Sequence, residues 1–119
     1  MLTNNVIEAL MAKETLGELE HQILLAILQL GGEAYSVPLV VELEDRTGRE
    51  VAQAAVFIVL RRLEKKGLLT SRLDDHAVEE TGRVRRYFKT TPLALRRLKE
   101  SRRALVSLWE GLDATLDET

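Results

Sequence analysis

The chain has 119 residues, a length that suits one domain with a single core. It has no cysteine, so disulfide bonds and thiolate metal sites are unavailable, and its two histidines, His21 and His76, are far apart in sequence. No apolar run approaches the roughly 18 residues of a membrane span and no leader pattern opens the chain, so it is expected to be soluble and cytoplasmic with no membrane partner.

The net charge of −2 conceals a division. Residues 1–60 hold three cations against nine carboxylates, residues 61–103 fourteen against six, and residues 104–119 none against four. A basic middle between acidic ends is the pattern of one phosphate-facing surface on an acidic body. The plainer reading, that these charges are solvated helix faces, is weakened by where they cluster.

Over residues 1–14, Val6, Ile7, Leu10 and Met11 recur at helical spacing and predict a short amphipathic helix that needs a partner surface. Thr15 and Glu18 form a T-x-x-E capping box for the next helix. Its buried stripe is Leu16, Leu19, Ile23, Ile27 and Leu30, and Gly31-Gly32 stops it. His21, among polar neighbours, reads as a surface histidine rather than a ligand. Ser36 is placed to cap a second helix, with Pro38 in the first turn, Val40 and Leu43 facing inward, and Thr47-Gly48 at the end.

The stretch from Arg49 to Phe88 organises the rest. REVAQAAVFIVLRRLEKKG reads as a third helix, LLTSRL as a half-buried strand, DDHAVEETGR as a polar turn and VRRYFK as the returning strand. Two short helices across a tight glycine-containing turn, followed by a hairpin, are a winged helix-turn-helix. Val56, Leu60 and Leu63 face the core, while Gln53, Phe57, Arg61 and Lys65 at i, i+4 spacing form a neighbouring exposed face. Gln53 is suited to bidentate contact with adenine and Phe57 to a thymine methyl. Arg61 and Lys65 would hold phosphates, and Arg83, Arg85 and Arg86 would clasp the flanking backbone or enter the minor groove. Asp74, Asp75, Glu79 and Glu80 lie close to those arginines and oppose phosphate approach.

Thr91 as N-cap and Pro92 at the first helical position open the last helix, expected to reach Leu112 or Leu116. Leu98, Leu105 and Leu112 recur every seven residues, with Leu108 and Leu116 in the intervening turns, as a seam for another helix. A two-fold partner is the economical reading, so Leu98, Leu105, Leu108, Trp109 and Leu112 are the candidate homodimer interface. The expected organisation is an amphipathic helix over 1–14, a winged helix-turn-helix domain over 15–91 and a dimerisation helix over 92–116. The fold class is mainly α with a small β-hairpin.

No glycine-rich phosphate loop and no histidine–carboxylate cluster at ligand spacing is present, so neither catalysis nor a cofactor is expected.

The chain resembles the PadR family of bacterial winged-helix transcriptional regulators. The residues that carry the resemblance are LGELEHQILLAILQLGGEAYSVPL, AAVFIVLRRLEKKGLL, TGRVRRYFKTTP and the closing SLWEGL, spread over residues 15 to 112. It is most similar to the compact members in which one C-terminal helix makes the dimer. The resemblance implies a homodimer on an inverted-repeat operator, usually as a repressor. It also implies departures: Ala52 stands where the family usually has serine, Phe57 where it has tyrosine, Val59 where threonine is frequent, and Ser36 where glycine is common. The first three remove hydroxyls from, or beside, the expected DNA face. If a small apolar effector is sensed, the space between the C-terminal helices beside Trp109 is its expected place. A rival reading follows from the lost hydroxyls and the apolar run Phe57-Ile58-Val59: a winged-helix protein-interaction module with weakened or lost DNA binding.

Overall fold

A computed structural model describes residues 16–78 and 84–117. The helix expected over residues 1–14 lies outside them, as do Thr15, Glu79, Glu80 and Arg83. In chain order the elements are α1 (Glu18–Gln29), β1 (Glu33–Ala34), α2 (Ser36–Thr47), α3 (Gln53–Lys65), β2 (Leu69–Val78), β3 (Val84–Thr90), α4 (Pro92–Trp109) and α5 (Asp113–Asp117).

The core forms where the apolar stripes of the helices meet the sheet. Ile23, Leu24 and Ile27 of α1, Leu39 and Leu43 of α2, and Val56, Leu60 and Leu63 of α3 close around Phe88 of β3. Leu16, Leu19, Leu30 and Val40, expected to be inward, are partly buried at its margin. Gly31 and Gly32 both adopt positive φ, near 99° and 98°, which is why two successive glycines end α1.

Two expected helix starts are different. The first residue of α1 is Glu18, and the carboxylate that reaches back is that of Glu20, whose Oε1 accepts from the Gly17 amide at 3.0 Å. The N-cap of α2 is Tyr35, with Ser36 already inside the helix and its hydroxyl bonded elsewhere. The start of α4 follows the sequence: the Ala94 amide donates to Thr91 Oγ1 at 3.3 Å, with Pro92 at the first helical position.

The sheet is antiparallel in the order β1-β3-β2. The two-residue β1 carries no strand signal of its own. It pairs Glu33 with Lys89 and Ala34 with Phe88, and thereby ties the helical part to the hairpin. The hairpin is longer than expected, because β2 runs on through Asp74 to Val78 where a turn was foreseen. Asp74 is registered opposite Arg85, an opposite-charge pair that favours strand, and the ladder resumes at Val78 opposite Val84 after an irregularity.

The C-terminal helix also departs from expectation. It ends at Trp109, Glu110 is extended, and Gly111 takes a φ of 78°. A left-handed residue breaks the α-helix, so Leu112 lies beyond the break and Leu116 on the short α5. Ala94 and Leu98 are buried in the domain's own core. From residue 102 to residue 117 every position is exposed.

Candidate nucleic-acid interface

The first turns of α3 are held against the wing by one aromatic contact. The Phe57 ring meets the buried Phe88 ring edge-on, with centroids 6.1 Å apart and planes at 83°. Phe57 remains 41% exposed, so one part of the ring is anchored and the rest faces outward. Ile58 beside it is 60% exposed, whereas Val59 is buried in the core. Val59 is therefore no part of an outward surface, and a hydroxyl at that position would not face a ligand. Ala52 stands as N-cap of α3 with no side-chain capping bond.

Between these turns and the wing lies an open groove of about 710 Å³. Tyr35, Ser36, Gln53, Phe57, Arg85 and Arg86 are among its walls. The Gln53 Nε2 donates to Ser36 Oγ at 3.1 Å. The Arg85 guanidinium carbon lies 4.5 Å from the centre of the Tyr35 ring, within cation–π range. Arg86 Nη1 donates to Ser71 Oγ on the neighbouring strand at 3.0 Å.

That serine leads to Glu64, near the end of α3. The Ser71 hydroxyl donates to Glu64 Oε2, and Arg61 Nη1 donates to Glu64 Oε1 at 3.1 Å. One carboxylate thus joins Arg61 directly and Arg86 through a hydroxyl. Lys65 is exposed on the same stretch of helix. Lys66 is turned the other way, its Nζ donating to the buried Glu20 at 2.7 Å.

Arg72 is occupied differently. Its Nε and Nη2 donate to both carboxylate oxygens of Glu33, at 3.1 and 2.8 Å, and its Nη1 lies 3.8 Å from Asp74. The hydrogen bond from Arg72 holds the Glu33 carboxyl below its ordinary range, and the bond to Glu33 raises Arg72 in turn. Asp74 is therefore set beside cations, Arg72 on its own strand and Arg85 across the ladder, which moderates its opposition to phosphate.

Of the sequence-derived reading residues, Gln53, Phe57, Arg85 and Arg86 share the groove, while Arg61 and Lys65 lie further along α3 and Arg83 is outside the described residues. Sequence reasoning missed Tyr35 as a wall and Glu64 as an organiser. Tyr35 offered no signal beyond an aromatic ahead of a helix. Glu64 had one: it stands at i+3 from Arg61, on a helix otherwise cationic there.

A second surface is apolar. His21, Leu25, Leu95, Leu105, Val106 and Trp109 line a groove of about 520 Å³ between α1 and α4. His21 is half-buried there, its Nδ1 3.4 Å from Ser101 Oγ. Leu108 is 73% and Trp109 53% exposed. Among the described residues, no cluster of histidine, aspartate and glutamate could hold a metal ion, and no helix is long and apolar enough to cross a membrane.

The comparisons with known proteins agree with this architecture. A family model described as "Transcriptional regulator PadR-like family" matches residues 24–100. The chain is similar to the PadR family transcriptional regulator of Eggerthella lenta DSM 2243, at 27% identity and a TM-score of 0.63, over 98% of this chain and 96% of that one. It is similar to the PadR-like transcriptional regulator of Bacillus cereus strain ATCC 14579, at 25% identity and a TM-score of 0.60, over 84% of this chain and 88% of the other. A PadR family transcription regulator from Clostridium difficile R20291 shares the fold, at 16% identity and a TM-score of 0.69, over 84% and 99% of the two chains. No curated protein matches the chain significantly.

Proposed function

We propose a function from one premise: the chain belongs to the transcriptional regulator PadR-like family. It is a DNA-binding regulator of winged-helix fold, and its family is one of regulators rather than enzymes. The finer reading is a homodimer that represses by occupying an inverted-repeat operator. The observation that carries it is the shared groove: Gln53 and Phe57 on α3 open onto the same space as Arg85 and Arg86 on the wing.

In this reading the first turns of α3 enter the major groove. The Gln53 amide reads an adenine edge and the outward edge of Phe57 touches a thymine methyl. Arg85 and Arg86 meet the adjacent backbone, and Arg61 and Lys65 extend the phosphate contact along α3. With so few base-reading side chains, affinity leans on phosphate and falls steeply with salt. Repression needs nothing further, because a dimer seated on a promoter excludes other proteins by occupancy.

Doubling is supported by the exposed apolar side chains of α4: Leu105 and Trp109 share a groove with Leu25 and Leu28 of α1, and Leu108 is exposed as well. A small planar apolar effector, where one exists, fits the groove beside Trp109. Trp109 is the single tryptophan, so its fluorescence reports on that place directly, and emission indifferent to a panel of planar apolar compounds rejects the effector.

Selection of bound sequences from a random duplex pool tests the whole reading. The expected result is an inverted repeat with half-sites about one helical turn apart, bound by two chains. Absence of binding to any duplex at low salt overturns it, and turns the exposed Phe57–Ile58 surface into a candidate protein contact.

A further inference from the structure

The dipeptide Tyr35-Ser36, where β1 passes into α2, touches both halves of the groove. Ser36 Oγ accepts from Gln53 Nε2 at 3.1 Å, and the Tyr35 ring lies 4.5 Å under the Arg85 guanidinium. Tyr35 is itself held. Its ring is 5.4 Å from that of Tyr87, which has Arg72 at 4.8 Å over it, and Arg72 is clamped by both oxygens of Glu33. A continuous series of contacts therefore runs from Glu33 to Arg85.

We propose that Tyr35-Ser36 is the positioning element of the DNA-reading surface, with Ser36 setting the amide of Gln53 and Tyr35 setting the guanidinium of Arg85. The proposal rests on the DNA-reading role argued above. A glutamine amide has two ends of equal size and opposite hydrogen-bonding sense. With one Nε2 hydrogen given to Ser36, the remaining Nε2 hydrogen and Oε1 form a donor–acceptor pair. Adenine offers the complement in the major groove, an N7 acceptor beside an N6 donor, whereas guanine offers two acceptors. Ser36 thus biases the one base-reading amide toward adenine. Tyr35 acts on the wing by another route: a guanidinium already stacked loses less side-chain freedom on meeting a phosphate. Neither residue needs to touch DNA to do this.

The test uses the full chain, a fluorescein-labelled random-sequence duplex and the duplexes that the wild type selects from a random pool. Ser36→Gly is expected to lower the preference for adenine over guanine at one position of each half-site by about two- to tenfold. Ser36→Thr, which keeps the hydroxyl, retains the preference. A glycine's cost to helix stability leaves this ratio unmoved. Tyr35→Leu is expected to weaken binding to the random-sequence duplex and to reduce the salt slope by about one. Arg85→Ala does the same, the double variant is no worse than Arg85→Ala, and Tyr35→Phe behaves as wild type. Should Tyr35→Leu fail to fold, the half-buried Ser36 variants carry the test alone. An unchanged base preference in Ser36→Gly, or additive losses from Tyr35 and Arg85, overturns the proposal. A wild type that binds no duplex at all overturns the DNA-reading role instead, before any variant is made.

Discussion

Leu98 and Leu105 lie one heptad apart on α4, yet Leu98 is 7% exposed within the domain's own core and Leu105 is 46% exposed. The expected seam therefore divides. Leu98 is packed into the fold, whereas Leu105, Leu108 and Trp109 of that expected seam stay exposed. Leu108→Glu is expected to leave the melting temperature of the protomer fold nearly unchanged, to give monomers in sedimentation velocity and to abolish tight operator binding. Leu98→Ala is expected to destabilise the fold by about 2–5 kcal/mol, read by chemical denaturation. A dimer that survives Leu108→Glu would remove α4 from the interface.

Glu64 links two arginines of the proposed reading surface, Arg61 directly and Arg86 through Ser71. Its carboxylate accepts from Arg61 at 3.1 Å and from Ser71, which in turn accepts from Arg86. A phosphate must compete with Glu64 for Arg61 and with Ser71 for Arg86. Glu64→Gln is expected to raise affinity for duplex DNA several-fold and to steepen the salt dependence, since more cationic charge is released to the backbone. Fluorescence anisotropy at two salt concentrations checks this, and weaker binding would mean that Glu64 positions the arginines rather than screens them.

Phe57 is fixed at one edge by Phe88 and open at the other. Phe57→Tyr adds a hydroxyl at a groove-lining position without moving the ring. It is expected to strengthen operator binding by about 0.5–1.5 kcal/mol, with the salt slope unchanged because no charge is added. A titration of the selected operator decides it; unaltered affinity would place the hydroxyl away from DNA.

The pair of buried Glu20 and half-buried Lys66 gives a pH dependence. Burial pushes the Glu20 carboxyl up, but the hydrogen bonds from Lys66 and the Gly17 amide, with the charges of Lys66 and Arg62, outweigh it and hold the group below its ordinary value of 4.5. A folded value below the unfolded one means that the ionised carboxylate stabilises the fold above the unfolded value, and that this stabilisation is lost as pH falls through the folded value. Glu20→Gln is expected to be less stable than wild type by about 1.5–3 kcal/mol at neutral pH. That gap should narrow below pH 4.5. Urea denaturation across the acid range measures the gap, and a constant gap would remove Glu20 as its source.

Much of the fold was legible in the sequence because it depends on local rules. The apolar periodicity of α1 and α3, the paired glycines after α1 and the Thr91-Pro92 start of α4 each act within a few residues, and each is realised. The alternation in LLTSRL and VRRYFK likewise marks the two wing strands. Together these features identify a winged helix, and the cations cluster after residue 60.

What the sequence could not decide were the partners that meet across the fold. Ser36 reads as a helix cap, but its hydroxyl bonds Gln53, 17 residues away. Leu98 reads as a dimer contact, but the domain's own core buries it. Glu20 and Lys66, 46 positions apart, carry no mutual signal at all. Periodicity tells which face of an element is apolar or charged; only the packing of one element on another decides what that face meets, because that contact depends on distance in space rather than along the chain.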